Sequence, residues 1–508
     1  MEYFIVQAGG KGTRLKQLTE NKPKALVPVD NLPMLFHLFR KYPQKRFVII
    51  ADYKKDVMRK YLAAFADVKY QVVDAAGTGT CGGINQALRL IPEGEPFMLI
   101  WSDLILPIEF DLPRGYADGW EGMPPKDNYV GISHDFPCRW SFNVEFKEEA
   151  SCEFGVAGVF LFPDKNLLRG LPDSGEFVRW LQEKGCRFKE WSVAGTREFG
   201  LINEYMKLTD SKCRPFNKIT VEGDVLIKEP LDEQGAELAK RECLWYEKAC
   251  SMGIDILPRI YGTNPLKMEF IKGKNIYECN LSKESKTHIL EQLVNSLKRL
   301  HAMEKAPVDT FSIKEGYYAK TIGRLNQIRD MVPFADEKYI TVNGRRCRNV
   351  YYYQKELEQA LEKLNDTAQP FAFTHGDCTF SNMMLRENGE PVLIDPRGYF
   401  GFTEMYGDIR YDWGKMYYSL VGNYDSFNLR KFRLHIGDNA EEGVKLEVDS
   451  NHWDDMEDKF FELTGANRWE IKIIHAVIWL SLTTYVWHDY DSICGAYYNG
   501  LYYLEEVL

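Results

Sequence analysis

Short, largely apolar strand candidates punctuate the first 207 residues: Tyr3–Gln7, Phe47–Ala51, Lys69–Asp74, Phe97–Trp101 and Val159–Phe162. Helical stretches lie between them. A strand that is apolar throughout, and not alternating, is one buried on both faces, so this rhythm predicts an α/β unit built on a parallel sheet with helices on both sides. The polar segment Leu208–Arg214 (LTDSKCR) breaks the rhythm and sets an expected boundary between a domain at 1–207 and another at 212–508. Beyond it, Asn217–Glu229 (NKITVEGDVLIKE) predicts a hairpin turning at Glu222-Gly223. A helix follows with Leu238, Ala239, Cys243, Tyr246, Ala249 and Cys250 on one face. A further helix over about 283–302 carries Ile289, Leu293, Leu297 and Leu300 at helical spacing, and the remainder is expected to be mainly helical and rich in aromatic residues.

Composition narrows the class. A chain of 508 residues has room for roughly three compact units. The net charge of -10 argues against a nucleic-acid partner, whose phosphates attract basic surfaces, so anionic ligands must be met by local Lys and Arg. The cysteines include no C-x-x-C pair, which gives neither a zinc site nor a disulfide framework. The start, MEYFIVQAGG, lacks the pattern of a signal peptide, and no stretch approaches the ~20 apolar residues of a membrane span. The expectation is a cytoplasmic enzyme with small-molecule substrates, no membrane insertion and an undetermined oligomeric state.

Two segments carry candidate chemistry. The first apolar strand runs straight into Gly9-Gly10-Lys11-Gly12-Thr13-Arg14-Leu15. Glycines let backbone N–H groups approach phosphates closely, while Lys11 and Arg14 supply charge. The loop is neither G-x-x-x-x-G-K-[ST] nor G-x-G-x-x-G. Together with Pro23-Lys24-Ala25-Leu26-Val27-Pro28-Val29, it resembles the sugar-phosphate nucleotidyltransferase superfamily, which includes phosphocholine cytidylyltransferases and NDP-sugar pyrophosphorylases. The resemblance implies a Rossmann-like, GT-A-like domain. In it Gly9, Gly10, Lys11, Gly12 and Thr13 would hold a triphosphate, Arg14 and Lys24 would act on the reacting phosphates, and Gly79 and Thr80 would line the nucleobase pocket. Asp103, at the end of an apolar strand, would bind Mg²⁺, which neutralises two mutually repelling phosphates. One departure stands out. Where the family often has a second metal carboxylate, in W-x-D-x-G-T, this chain reads Trp191-Ser192-Val193-Ala194-Gly195-Thr196, with Glu198 as the nearby substitute.

The second segment is Phe373–Gly398, FTHGDCTFSNMMLRENGEPVLIDPRG. Asp377 precedes Asn382 by five residues, and an apolar run then delivers Asp395. That spacing matches the catalytic loop of protein kinases, in which a carboxylate orients the attacking hydroxyl and further oxygens hold Mg²⁺ on the phosphates. Upstream, Lys228 stands on a strand and Glu242 on the apolar face of the next helix, where a charge is costly unless paired. Met268–Gly273 resembles an adenine-holding hinge. The order of these parts resembles the aminoglycoside phosphotransferase and choline kinase superfamily. This implies a two-lobed, protein-kinase-like domain with a small lobe at about 212–273 and a large lobe at about 274–508. Lys228, Glu242, Glu269 and Ile271 would bind ATP, Phe216 and Asn217 would cover its phosphates, Asp377 would be catalytic, and Asn382 and Asp395 would hold Mg²⁺. His375 is read as a residue that orients the loop and His301 as a core histidine; Asp408 and Asp412 either orient the catalytic loop or cap helices.

In series, the two halves would phosphorylate a small alcohol with ATP and couple the product to a second NTP, with CTP favoured, for decoration of a surface polysaccharide. Choline is one candidate, because aromatic faces attract quaternary ammonium groups. Sugar activation toward a UDP- or GDP-sugar, or an active kinase joined to a non-catalytic nucleotidyltransferase-like domain, are the alternatives.

Overall fold

The three central residues of Tyr3–Gln7 are buried, and a strand of that kind needs partners on both edges and cover on both faces. The structure, a computed structural model, describes residues 1–75, 77–117, 125–133, 155–202, 205, 217–231, 233–254 and 256–508. Besides the short pair Pro28–Val29 and Leu32–Pro33, the described strands of the first unit are β1 (Tyr3–Gln7), β2 (Arg46–Ala51), β3 (Lys69–Asp74), β4 (Phe97–Trp101), β5 (Leu104–Ile105), β6 (Tyr129–Ser133), β7 (Gly155–Phe162), β8 (Lys189–Ser192) and β9 (Arg197–Glu198). Seven of them form one sheet in the order β8-β6-β7-β4-β1-β2-β3. β1 pairs in parallel with β2 and β4, and β2 with β3.

All five expected strands are present, with one correction. β7 runs antiparallel to both β4 and β6, so the sheet is mixed. An apolar run reports burial on two faces and carries no information about direction. β6 and β8 went unread because Gly131 interrupts one and Lys189 and Glu190 the other. The helix Lys55–Phe65 buries Met58, Tyr61 and Leu62 at helical spacing. The helix Cys81–Leu88 lies so close to the sheet that a Cβ on Gly83 would come within 2.4 Å of the Ile50 side chain. Ile5, Val48, Ile50, Ile84, Leu99, Phe160, Phe162 and Phe177 make one core there.

The chain divides into two compact units, one of Met1–Cys213 with His488–Tyr490 and the other of Arg214–Trp487 with Asp491–Leu508. The expected boundary segment Leu208–Arg214 lies outside the described residues. The second unit opens with an antiparallel sheet of β10 (Asn217–Glu222), β11 (Val225–Pro230), β12 (Ile260–Thr263) and β13 (Leu266–Glu269), in the order β10-β11-β13-β12. Its hairpin turns at Gly223-Asp224, where Gly223 takes a positive φ of 61°. The helix Glu233–Ser251 follows.

The helix Lys283–Met303 buries Ile289, Leu290, Leu293, Val294, Leu297 and Leu300, the face its spacing predicts. The regular structure of the remainder is mainly helical, as expected, but it also holds a sheet that the pattern does not predict. Beside the helices Gln354–Asp366, Ile409–Leu420 and Arg468–Leu482 stands a four-stranded sheet of Arg345–Arg348, Tyr339–Val342, Val444–Val448 and Phe432–Ile436. Its last two strands bury Leu434, Val444 and Leu446 between exposed residues, a period of two in a stretch too charged to stand out as apolar. Among the described residues no helix is long and apolar enough to cross a membrane.

Candidate active sites

In the first unit, β1 ends in a glycine-rich loop whose tightest point is Gly12. Gly12 has φ 65°, and a Cβ there would press within 3.0 Å of the stem of Lys24 and of Thr19. A Cβ on Gly9 would meet Asp52 at 3.0 Å. Gly10 differs: no atom lies within 4 Å of where its Cβ would stand, so packing does not demand a glycine there. Open space over a bare backbone is what a phosphate oxygen needs in order to reach an N–H group. Lys11, Thr13 and Arg14 are exposed on the same loop, which leads into the short helix Thr13–Thr19.

Lys24 opens a turn of helix after Pro23, and its ammonium forms an ion pair with the Asp103 carboxylate, just beyond the end of β4. The two side chains are only 15% and 14% exposed. Loop, lysine and aspartate, 79 residues apart in sequence for the last two, therefore meet at one edge of the sheet. Val193 is 1% exposed and packs against Gly131, so it is a core residue where the family motif has a carboxylate. Glu198 lies on β9, paired with Leu104 of β5, and the next amide, Phe199 N–H, donates to the Asp103 carbonyl at 3.1 Å. The Glu198 carboxylate and the Lys24 ammonium both approach Gly200, within 2.8 and 3.6 Å of where a Cβ would stand. Hard oxygen donors suit Mg²⁺, and Asp103, paired with Lys24, and Glu198, beside Gly200, are two carboxylates near that lysine.

Gly79 and Thr80 are both tied to the segment around Gly175. Gly79 has φ 81°, and a Cβ would stand 2.5 Å from the Gly175 carbonyl. The Thr80 hydroxyl accepts from Phe177 N–H at 2.8 Å and donates to Glu176 at 3.1 Å, anchoring the start of the helix Phe177–Glu183.

In the second unit, Lys228 on β11 donates to Glu242 at 2.6 Å and to Asp395 at 3.0 Å, and Lys228 and Glu242 are buried. The costly buried charge on the apolar helix face thus has its partner. Asp395 follows the strand Pro391–Leu393 and takes a positive φ of 56°, strain that a non-glycine residue bears where its side chain is aimed by the surrounding fold. The amide nitrogen of Asn382 donates to the Asp377 carbonyl at 3.0 Å and to Asp377 Oδ2 at 2.9 Å, which leaves the Asn382 amide oxygen as a ligand atom. Asp395 and that oxygen are a donor set that fits Mg²⁺.

Asp377 Oδ1 pairs with Lys415 at 3.0 Å. Burial pushes the Asp377 carboxyl up, but Lys415, Arg397 and His375 outweigh it and hold the group below the usual carboxylate range. It is an anion at neutral pH. Burial pushes His375 below the ordinary histidine value, so it is neutral and acts through its backbone and ring contacts.

Asp412 decides how the loop is held. Its carboxylate accepts from His375 N–H at 3.0 Å, Gly376 N–H at 2.6 Å and His301 at 2.8 Å. Asp408 is the capping residue, accepting from Arg410 N–H at 3.0 Å at the start of the helix Ile409–Leu420 and pairing with the Arg410 guanidinium. His301 is a buried histidine whose Nε2 lies 2.8 Å from Asp412, while its buried Nδ1 has no hydrogen-bond partner among the described residues. Lys415 escaped the sequence reading, although it lies one helical turn beyond Asp412 and so shares its face. Burial raises the Asp412 carboxyl, but its hydrogen bonds to His301 and Gly376 lower it further, below its ordinary value. That stabilisation is complete at neutral pH and fades as pH falls below about 4. Asp412→Ala should cost the second unit about 3 kcal/mol, read as a lowered unfolding midpoint, because it strands two buried N–H groups and a histidine. A midpoint unchanged at pH 7 would contradict this role.

The remaining expected residues fall as follows. Asn217 begins β10 opposite Pro230. Phe216 lies outside the described residues. The Glu269 carboxylate is taken by the Arg386 guanidinium, with Nη2 donating to Oε2 at 2.9 Å, and Ile271 is buried. Any contact of Glu269 or Ile271 with a nucleotide would therefore fall to the backbone of these two residues.

Residues 4–110 match the family model described as MobA-like NTP transferase domain, and residues 255–440 match the phosphotransferase enzyme family. The UTP--glucose-1-phosphate uridylyltransferase AglF of Haloferax volcanii is 35% identical over 108 residues, covering 20% of this chain and 43% of that protein. The bifunctional protein GlmU of Methanocaldococcus jannaschii is 30% identical over 251 residues, 44% of this chain and 60% of that protein. The chain thus spans less than two thirds of the length of either relative. Among solved structures, HddC from Yersinia pseudotuberculosis is 21% identical with a TM-score of 0.34, covering 41% of this chain and 98% of that one. The N-terminal segment thus resembles nucleotidyltransferases, and the C-terminal segment resembles phosphotransferases.

Proposed function

We propose that the chain is a two-step enzyme that makes an activated small molecule. The second unit, about 212–508, transfers the terminal phosphoryl group of ATP to an alcohol. The first, 1–207, joins the resulting phosphate to the α-phosphorus of a second NTP and releases pyrophosphate. The observation that carries this reading is the position of Asp377 between Lys415 and Asn382 in a chain whose other unit sets the Lys24–Asp103 pair against an open glycine loop.

In the first step Asp377, ionised and aimed by Lys415, accepts the hydroxyl proton while the alcohol oxygen attacks the γ-phosphorus. Lys228, held by Glu242, steadies the ATP phosphates. Asn382 and Asp395 would hold Mg²⁺, which supplies charge neutralisation on the phosphates. In the second step Gly9 to Thr13 grip the triphosphate through backbone N–H groups. Arg14 and Lys24 offset the charge that builds as one phosphate attacks another, and Asp103 with Glu198 would hold the metal.

The acceptor reads best as a sugar, giving a sugar 1-phosphate. The curated relatives are named for glucose-1-phosphate, mannose-1-phosphate and heptose 1-phosphate, and as uridylyl- or guanylyltransferases. These names favour UTP or GTP over the CTP expected from the short first unit, and a sugar over choline. Such a product suits cytoplasmic synthesis of precursors for surface polysaccharide. Purified protein given ATP, each of the four NTPs and a panel of sugars and amino alcohols should yield one NDP-linked product detectable by mass. CDP-choline as the sole product would reverse the choice of acceptor, and phosphorylation without any NDP-linked product would leave the first unit a binding module.

A further inference from the structure

The side of Asp377 away from Asn382 is crowded with positive charge. Lys415, on Asp377 Oδ1, has its ammonium 5.8 Å from the centroid of the Tyr411 ring. Lys320 approaches the same ring at 5.9 Å, and the Arg397 guanidinium at 5.8 Å. Arg324 stands one turn along from Lys320 in the helix Lys320–Ile328, so the two share a face, and its guanidinium donates to the Ser481 carbonyl. All four side chains are partly buried, deep in the fold yet reached by solvent.

What these cations lack is carboxylates. Among the described residues only Lys415 has one within ion-pair distance. Among the described residues the Arg397 guanidinium donates only to hydroxyls, of Tyr411 at 2.8 Å and Tyr399 at 2.7 Å. Elsewhere the fold treats its enclosed arginines differently: Arg410 is matched by Asp408 and Glu470, and Arg386 by Glu269. Burial, then the neighbouring Arg397, Arg324 and Lys415, pull the Lys320 ammonium well below its usual range, and only Glu315 pulls the other way. The cluster holds one carboxylate in ion-pair range, Asp377 on Lys415, and like charges held together with so little counter-charge raise the free energy of the empty site, which an anion placed among them recovers. The tyrosines that might have caged an ammonium ligand already face protein cations.

We propose that Lys320, Arg324 and Arg397 form an anion-binding subsite beside Asp377, and that the alcohol this unit phosphorylates carries a carboxylate or phosphate group. The proposal rests on the phosphotransferase reading above and names its substrate class. Arginine forks match either anion bidentately, and binding it there would set a nearby hydroxyl of the same molecule against Asp377.

The test uses the full chain with Mg·ATP and four probes: glucose, glucuronate, glucose 6-phosphate and choline. ADP release gives turnover, and titration calorimetry gives binding for probes that are not turned over. At least one acid should exceed glucose and choline about tenfold in kcat/KM or in affinity. The comparison between glucuronate and glucose 6-phosphate tells carboxylate from phosphate. Arg324→Gln and Lys320→Gln should each raise the KM or Kd of the preferred acid about tenfold, with the KM for ATP as internal control. Equal or better use of glucose or choline overturns the proposal. So does the absence of acid binding at about 10 mM, or a rise in the KM for ATP alone, which would assign these cations to the nucleotide. Failure of the underlying reading looks different: Asp377→Asn would then leave ADP release intact whatever the acceptor.

Discussion

Asp377→Asn should lower ADP formation by about three orders of magnitude while pyrophosphate release by the first unit continues at its normal rate. The substitution keeps volume and one oxygen but removes the negative charge that accepts the hydroxyl proton. The oxygen that remains can accept from only one of its two neighbours, the Lys415 ammonium at 3.0 Å or the Asn382 amide at 2.9 Å, and the Asn382 amide keeps its bond to the residue 377 carbonyl. The loop should hold its shape, because its backbone is fixed from elsewhere, by Asp412 on the amides of His375 and Gly376. The defect should therefore fall on kcat, with little change in the KM for ATP. Since Asp377 is held below the usual carboxylate range, wild-type phosphorylation should not lose its base until pH falls under about 4. Phosphorylation by the variant within tenfold of wild type would remove Asp377 from catalysis.

Parts of this site could be read in the sequence because phosphate chemistry constrains spacing. Glycines before a helix, a lysine after a proline, and aspartate and asparagine five residues apart are local patterns that survive in one dimension. The Lys228–Glu242 pair was legible for another reason: a glutamate on an apolar helix face announces a hidden cation. What stayed hidden depends on long-range folding. Lys415 and Arg397 reach Asp377 from a helix and a loop whose packing no local pattern encodes. The antiparallel run of β7 and the small sheet that includes Tyr339–Val342 are set by topology, and the charged strands of that sheet masked their alternation. Val193 shows the converse. Its motif predicted a missing ligand, and only the pairing of β5 with β9 shows Glu198 beside Asp103.

Lys24→Met should cost pyrophosphate release about 10² to 10³-fold, with ADP formation by the second unit unaffected. Methionine keeps most of the length that packs against Gly12, so the loop retains its support. The charge alone disappears, and the Asp103 carboxylate loses its partner at a site where both side chains are largely buried. Attack of one phosphate on another builds negative charge that water would otherwise screen, so a fixed cation in a sheltered site acts mainly on the transition state. The loss should therefore appear chiefly in kcat, measured as pyrophosphate released from the preferred NTP with supplied sugar 1-phosphate. Lys24→Arg, which restores the charge but not the shape, should recover part of the rate. If Lys24→Met releases pyrophosphate normally, the Lys24–Asp103 pair is a structural bridge, and the catalytic cation must be Arg14 or Lys11 on the exposed loop.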